Sequence, residues 1–438
     1  MNDLLRTRAL KTCLSLARIV AVTTVLAVSS SALSDEPSAP TDEDGRLLVE
    51  HKRIPTAMYT LDATYYRGKV YRWQYGGGIS AVRDRYVLAT REGLLYQFWW
   101  DDANDLRVES LVHRVPLNAD AFAAGVSDNV NQMWFRVADV LVDDSTDQLR
   151  VYATHHYWRT ADNCVVMRVS VLSATYDELM HSQAPGAWRT LYETTPCIPI
   201  AKGNRGNPFA GNLVGGRLVL LDKNKLLFTV GDHGLDGYFN TPATPQNVDA
   251  SYGKTILIDT NTGTAKVFTL GHRVPNGLYA DRETGDLWLT ENGPQGGDEL
   301  NHLEQGANYG WPEVTYGVAY GMDNWPPTKH PEEHTGYREP TFAWVPSIGV
   351  SNLIGVSEGT VFPRWRGDLL VSSMRDESIW RVRVRNERVA YAERIPFETR
   401  IRDLLQARDG RLVIWTDEGE LISVGRSEAP AQPKSANE

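Results

Sequence analysis

The stretch Asp281-Arg282-Glu283-Thr284-Gly285-Asp286-Leu287-Trp288-Leu289-Thr290 carries the fold reading. Six turn-forming or charged residues are followed by an alternating apolar run that ends in Thr, the pattern of a strand leaving a tight turn. The same phrase recurs as Tyr86-Val87-Leu88-Ala89-Thr90, Arg150-Val151-Tyr152-Ala153-Thr154, Leu226-Leu227-Phe228-Thr229, Leu369-Leu370-Val371-Ser372 and Leu412-Val413-Ile414-Trp415-Thr416. A second run often follows, as in Leu94-Leu95-Tyr96-Gln97-Phe98, Ile379-Trp380-Arg381-Val382 and Leu421-Ile422-Ser423-Val424. Six such units, without helical periodicity between them, predict an all-β chain, and about four strands per unit predict a six-bladed β-propeller. A pair of β-sandwiches is the rival reading. The unequal spacing of the units puts extra residues into inter-blade loops, where function tends to sit on a rigid scaffold.

Composition agrees with a packed globular body. Of 438 residues 42% are apolar and 23% charged, with 36 Gly, 22 Pro and 13 Trp. The formal net charge of −10 argues against sequence-independent nucleic-acid binding, which needs clustered Lys and Arg. Arg6, Arg8, Lys11 and Arg18 precede an apolar run over residues 19–28, and Ala32-Leu33-Ser34 offers small residues before a cut. This pattern predicts a secretory signal peptide over 1–34. The apolar run is too short to span a bilayer, so no membrane span is expected. Residues 35–46 read as a flexible leader, 47–426 as the propeller and 427–438 as a disordered tail. The chain is therefore expected in the periplasm or outside the cell. There Cys164 and Cys197, the two cysteines left after Cys13 departs with the signal, are expected to form a disulfide.

Three loop segments carry candidate chemistry. Glu291-Asn292-Gly293-Pro294-Gln295-Gly296-Gly297-Asp298-Glu299-Leu300-Asn301 combines adjacent carboxylates with a Gly-rich, carbonyl-exposing backbone. That suits calcium, although the spacing is not that of an EF-hand and a plain acidic turn would read alike. Gly231-Asp232-His233-Gly234 closes another strand, and Asp232 there is a base, an orienter, a metal ligand or a satisfied turn carboxylate. Gly271-His272-Arg273 supplies a cation that either faces a pocket or makes a surface ion pair.

These segments, in this order, resemble the soluble quinoprotein glucose, aldose sugar and L-sorbosone dehydrogenases. The matching phrases are Gly216-Arg217-Leu218-Val219, Thr229-Val230-Gly231-Asp232, Gly271-His272-Arg273, Glu291-Asn292-Gly293-Pro294, and the run from Asp298 through Gly306-Ala307-Asn308-Tyr309-Gly310-Trp311-Pro312. Trp344, Ser373-Met374-Arg375 and Arg400-Ile401-Arg402-Asp403 follow. The resemblance implies a six-bladed propeller with pyrroloquinoline quinone on its axis and calcium ions nearby. It implies that the carbonyls of Gly293 and Pro294 face the cofactor-bound calcium, and that Glu299 and Tyr309 belong to a neighbouring calcium site. Arg375, Arg400 and Arg402 would pair with the quinone carboxylates, Trp344 would stack on its plane, and Arg273 would stabilise charge developing at its carbonyls.

The implied activity is oxidation of an aldose or related sugar, with hydride passed to the quinone and electrons to an external acceptor. The chain departs from the family where proton chemistry is expected. The position of the general-base His is Leu213, the Asn after Arg273 is Val274, and an early-blade Gln falls at Met133 or Gln132. Asp232, which would orient that His, then becomes the candidate proton acceptor, with His155, His156 and His233 as other possibilities. A non-catalytic calcium- or sugar-binding propeller and a calcium-dependent lactonase are the alternative functions.

Overall fold

The computed structural model describes residues 48–427, apart from 69–74, 127–129, 201–208, 319, 321–329, 331, 358 and 360. The expected signal peptide and leader, and the tail from 428, lie outside the described residues.

Each repeated phrase becomes the second strand of its own antiparallel sheet: Arg85–Ala89, Gln148–Arg159, Lys225–Val230, Leu287–Asn292, Leu369–Ser373 and Leu412–Thr416. There are six such sheets, of four or five strands. Their first strands are Gly78–Val82, Val137–Asp143, Gly215–Asp222, Val274–Ala280, Val350–Gly355 and Ile401–Gln406. Each packs on the next, and the sixth packs on the first, so the sheets close into a ring. The fold is a six-bladed propeller, not a pair of sandwiches.

Ring closure uses a segment that carries no copy of the phrase. Thr60–Arg67 pairs antiparallel with Leu421–Arg426, from Leu61 opposite Arg426 to Tyr66 opposite Leu421, and Leu48–Pro55 adds the outer strand. The sixth blade is thus sewn from both ends of the described chain. Period-2 alternation explains its packing: Leu61, Ala63 and Tyr65 are buried and Thr60 and Asp62 exposed. The buried set joins Trp365, Leu370, Ile414 and Ile422 in a core between the fifth and sixth blades. Each large apolar side chain so placed contributes about 1.5–3 kcal/mol.

The axis is filled by Arg217, on the first strand of the third blade. Its guanidinium lies 3.0 Å from Asp139 and 3.0 Å from Asp403, and donates to the carbonyls of Asn276 (2.8 Å) and Arg402 (2.7 Å). Asp403 also accepts from the amide of Ile79 (2.9 Å) and the side chain of Asn352 (2.7 Å). These bonds reach all six blades. Burial, with Asp403 beside it, pushes the Asp139 carboxyl up to about 7, against the opposing pull of Arg217.

Cys164 and Cys197 are bonded to each other, with Cα atoms 5.7 Å apart. The bridge holds Ile198–Pro199 against the strand Cys164–Thr175. Among the described residues no helix is long and apolar enough to cross a membrane.

Candidate active site

At one end of the axis the loops of the third, fourth and fifth blades enclose a cavity of about 540 Å³. Leu213, Arg273, Val274, Gly293, Pro294 and Arg375 are among its walls, with Asn292 and Asp298. Two features of the backbone make this shape. A side chain at Gly231 would meet the carbonyl of Leu213 at 2.0 Å, and one at Gly293 would meet that of Gly297 at 2.2 Å, so both close approaches require glycine. Asp298 then clamps two blades. It accepts from the amides of Gly293 (3.1 Å), Ile348 (3.0 Å), Gly349 (2.6 Å) and Val350 (3.1 Å).

Two guanidinium groups face this cavity without a carboxylate at ion-pair distance among the described residues. Arg273 donates only to carbonyls, those of Asn292 (3.2 Å) and Gly293 (2.7 Å), and lies 5.4 Å from the Trp311 ring. The side chain of Arg375 makes no hydrogen bond or ion pair among the described residues. Cations held this way suit an anionic or electron-accepting ligand.

Asp232 is fully buried one layer behind this wall. Its carboxylate accepts from the Gly234 amide (2.8 Å) and from the indole N–H of Trp311 (2.7 Å). Burial raises it to about 7; Arg273 pulls it down and Asp236 pushes it up. Trp311 thus occupies one oxygen of Asp232 and the Gly234 amide the other, and Leu213 presents hydrocarbon to the cavity.

The other candidate bases point elsewhere. The Arg136 amide donates to His156 Nδ1 (3.1 Å), which leaves the proton on Nε2. That N–H donates to His233 Nε2 (3.3 Å), whose Nδ1–H donates to the Gly231 carbonyl (3.1 Å). His155 bonds to the His156 carbonyl (2.8 Å) and Ser170 (2.9 Å). Burial holds His155 and His233 at about 4 and His156 well below its usual value, so all three are neutral spacers. None lines the cavity. Met133 is exposed, and neither it nor Gln132 lines the cavity.

Arg400 and Arg402 are not on this wall. Arg402 grips Asp417 with two bonds (2.7 and 2.9 Å), and Arg400 shares the same carboxylate (3.2 Å). The resemblance pointed to both arginines, but nothing in the sequence marked Asp417 as their counter-ion. Trp344 is also away from the cavity, in a core with Trp288, Leu300 and Ile348.

Below the fourth blade's loop, Glu291, Glu299 and Asn301 form an oxygen-rich cluster. Asn301 donates to Glu291 (2.9 Å) and Glu299 (3.1 Å), while its own buried Oδ1 has no partner. Burial beside Glu291 pushes Glu299 well above the usual carboxylate range. An orphaned acceptor beside two buried carboxylates fits a hard cation. Glu291 also accepts from His272 (2.9 Å) and the Arg273 amide (2.7 Å), which ties the cluster to the cavity wall. The Tyr309 ring covers His272, with centroids 4.8 Å apart, but its hydroxyl is used by the His302 carbonyl (2.6 Å) and the Glu304 amide (3.1 Å).

A family model described as Glucose / Sorbosone dehydrogenase matches residues 137–423. An aldose sugar dehydrogenase of Escherichia coli is 32% identical over 231 residues, 49% of this chain and 60% of that protein, so the chain's match spans less than two thirds of this relative. The crystal structure of the soluble Escherichia coli aldose sugar dehydrogenase in its apo-form superposes with a TM-score of 0.64 at 22% identity, over 87% of this chain and 100% of that one. A PQQ-bound aldose sugar dehydrogenase from Streptomyces coelicolor gives a TM-score of 0.57 at 19% identity, over 86% and 98%.

Proposed function

The chain belongs to the glucose/sorbosone dehydrogenase family, and we propose that it oxidises an aldose or related sugar with pyrroloquinoline quinone, in the periplasm or outside the cell. The observation that carries this reading is the pair Arg273 and Arg375, cationic and without a carboxylate at ion-pair distance among the described residues, facing one cavity of about 540 Å³. A cavity of that size suits a cofactor-sized ligand, and a ligand bearing several carboxylates would supply the missing counter-charge. Such a quinone would supply the hydride acceptor for the sugar and a route for electrons to an external acceptor.

This chain's own residues have narrower tasks. Arg375 binds carboxylate, with Arg400 and Arg402 behind it, already balanced in part by Asp417. Arg273 places positive charge where negative charge develops, fixed by its bonds to Asn292 and Gly293 so that little reorganisation is needed. Trp344 serves the site through the core that supports the Asp298 clamp. Calcium would be held at Glu299 with Glu291 and Asn301, beside the His272 ring that Tyr309 covers, and on the cavity rim at the Pro294 carbonyl with the Gly293 carbonyl, which it would share with Arg273. Asp232 accepts the hydroxyl proton, and its raised pKa suits that task near neutrality.

Leu213 lines the cavity and Asp232 does not, so the proton step is slow. Leu213→His should raise aldose oxidation by about two orders of magnitude or more, the usual contribution of a placed base. No gain, in a variant that still binds the quinone, would show that Asp232 or another group already suffices. The axis speaks against the lactonase alternative: Arg217 occupies the space between Asp139 and Asp403 that an axial metal would need.

A further inference from the structure

His302 ends the strand Asp298–His302, one residue past Asn301, so its side chain leaves on the face opposite Glu299 and Asn301. Its Nε2–H donates to Asp286 Oδ1 (3.1 Å), in the turn that opens the same blade's second strand. With the proton on Nε2, Nδ1 carries a lone pair. That atom is buried and has no hydrogen-bond partner. Glu387 Oε1 stands 3.7 Å from it, and one ligand atom each from His302, Glu304 and Glu387 lies within 4.8 Å of the others. A lone pair facing a carboxylate oxygen is repulsive unless a cation lies between them, either a second ring proton on Nδ1 or a metal ion, and the 3.7 Å separation is longer than a hydrogen bond.

The backbone around Glu387 points the same way. Arg385 pairs with Arg388, so Asn386 and Glu387 form a two-residue hairpin turn, with φ of 50° and 59°. Such a turn ordinarily ends in glycine, and a glutamate held there costs on the order of 1 kcal/mol. Arg338 holds both glutamates from the outer side, donating to Glu304 Oε1 (2.9 Å) and Glu387 Oε2 (3.3 Å), and leaves Glu387 Oε1 toward His302. Counting Asp286, three carboxylates stand against one guanidinium, an excess that suits a divalent ion.

We propose that His302, Glu304 and Glu387 bind a divalent transition-metal ion that clips the fourth blade to the fifth, away from the axial cavity. One imidazole nitrogen and two carboxylates suit Zn²⁺ and its neighbours rather than calcium, which prefers an all-oxygen set. Asp286 is the carboxylate behind the histidine, fixing its tautomer and orientation. The indole of Trp288 lies 4.7 Å from the His302 ring and reports on the site.

The test is calorimetric titration of the full chain, calcium-saturated, with ZnCl₂, followed by thermal unfolding and by Co²⁺ quenching of tryptophan fluorescence. One equivalent of Zn²⁺ should bind and raise the unfolding temperature. Glu387→Gln, at an exposed hairpin tip where folding is not at stake, and His302→Gln should each weaken binding at least about 10-fold, and Asp286→Asn by about 10- to 100-fold. Quenching by Co²⁺ should disappear in Trp288→Phe. No Zn²⁺ bound at tens of micromolar, or binding unchanged in either Glu387→Gln or His302→Gln, overturns the proposal.

Discussion

At position 213 the cavity wall is a leucine, which cannot accept a proton, and the titratable groups nearby are committed to other partners. Asp232 accepts from the Trp311 indole, and His156 bonds to His233. The histidines adjacent to the motifs were legible as residues but not as bystanders, because only the fold shows that their nitrogens are spent on backbone. Asp232 also sets a pH response. Its folded pKa lies above its unfolded value, so the native state keeps a proton that the unfolded chain loses, and stability falls as pH rises from about 4 to about 7. Asp232→Asn should flatten that part of the curve in urea unfolding followed against pH; an unchanged slope would mean that Asp232 ionises normally. Arg375 gives a second prediction at this scale. Arg375→Ala should weaken quinone binding by about 10- to 100-fold, as for loss of a charged hydrogen bond, and more than Arg400→Ala, whose neighbour Arg402 still holds Asp417. Equal effects in a binding titration would place the ligand nearer Arg400 than the cavity wall suggests.

Among the elements, the strands were the most legible part of the chain, because period-2 alternation after a turn states both the strand and its buried face. All six quoted phrases fall in the second strands of the blades. The closing strand Thr60–Arg67 was not legible as such, since its pairing with Leu421–Arg426, more than three hundred residues away, leaves no local pattern. The same holds for the polar contacts between first strands. Arg217 stood in a quoted motif, yet its partners Asp139 and Asp403 lie far off in sequence and meet only in the ring. Removing one partner of such a buried set leaves uncompensated charge, so Arg217→Met should cost about 3–5 kcal/mol in denaturant unfolding. A loss below about 1 kcal/mol would mean that the axial bonds add little beyond the cores between blades.

For the molecule as a whole, the propeller supplies rigidity and the loops at one axial end supply the chemistry. The Glu291, Glu299 and Asn301 cluster connects the two, since an ion there would neutralise buried carboxylates and brace the Arg273 wall. Chelation should therefore lower the unfolding temperature by several degrees, Glu299→Gln should make the protein indifferent to chelator at this cluster, and a melting curve that ignores chelator in the unmodified chain would remove calcium from the account. The central claim is that the axial cavity binds pyrroloquinoline quinone and uses it on sugars. It is tested most directly by titrating the calcium-loaded chain with the quinone while recording its absorbance, then adding an aldose without external acceptor. The account expects saturation at one quinone per chain, followed by slow bleaching that Leu213→His accelerates. Absence of saturable binding in both the unmodified chain and Leu213→His would contradict it.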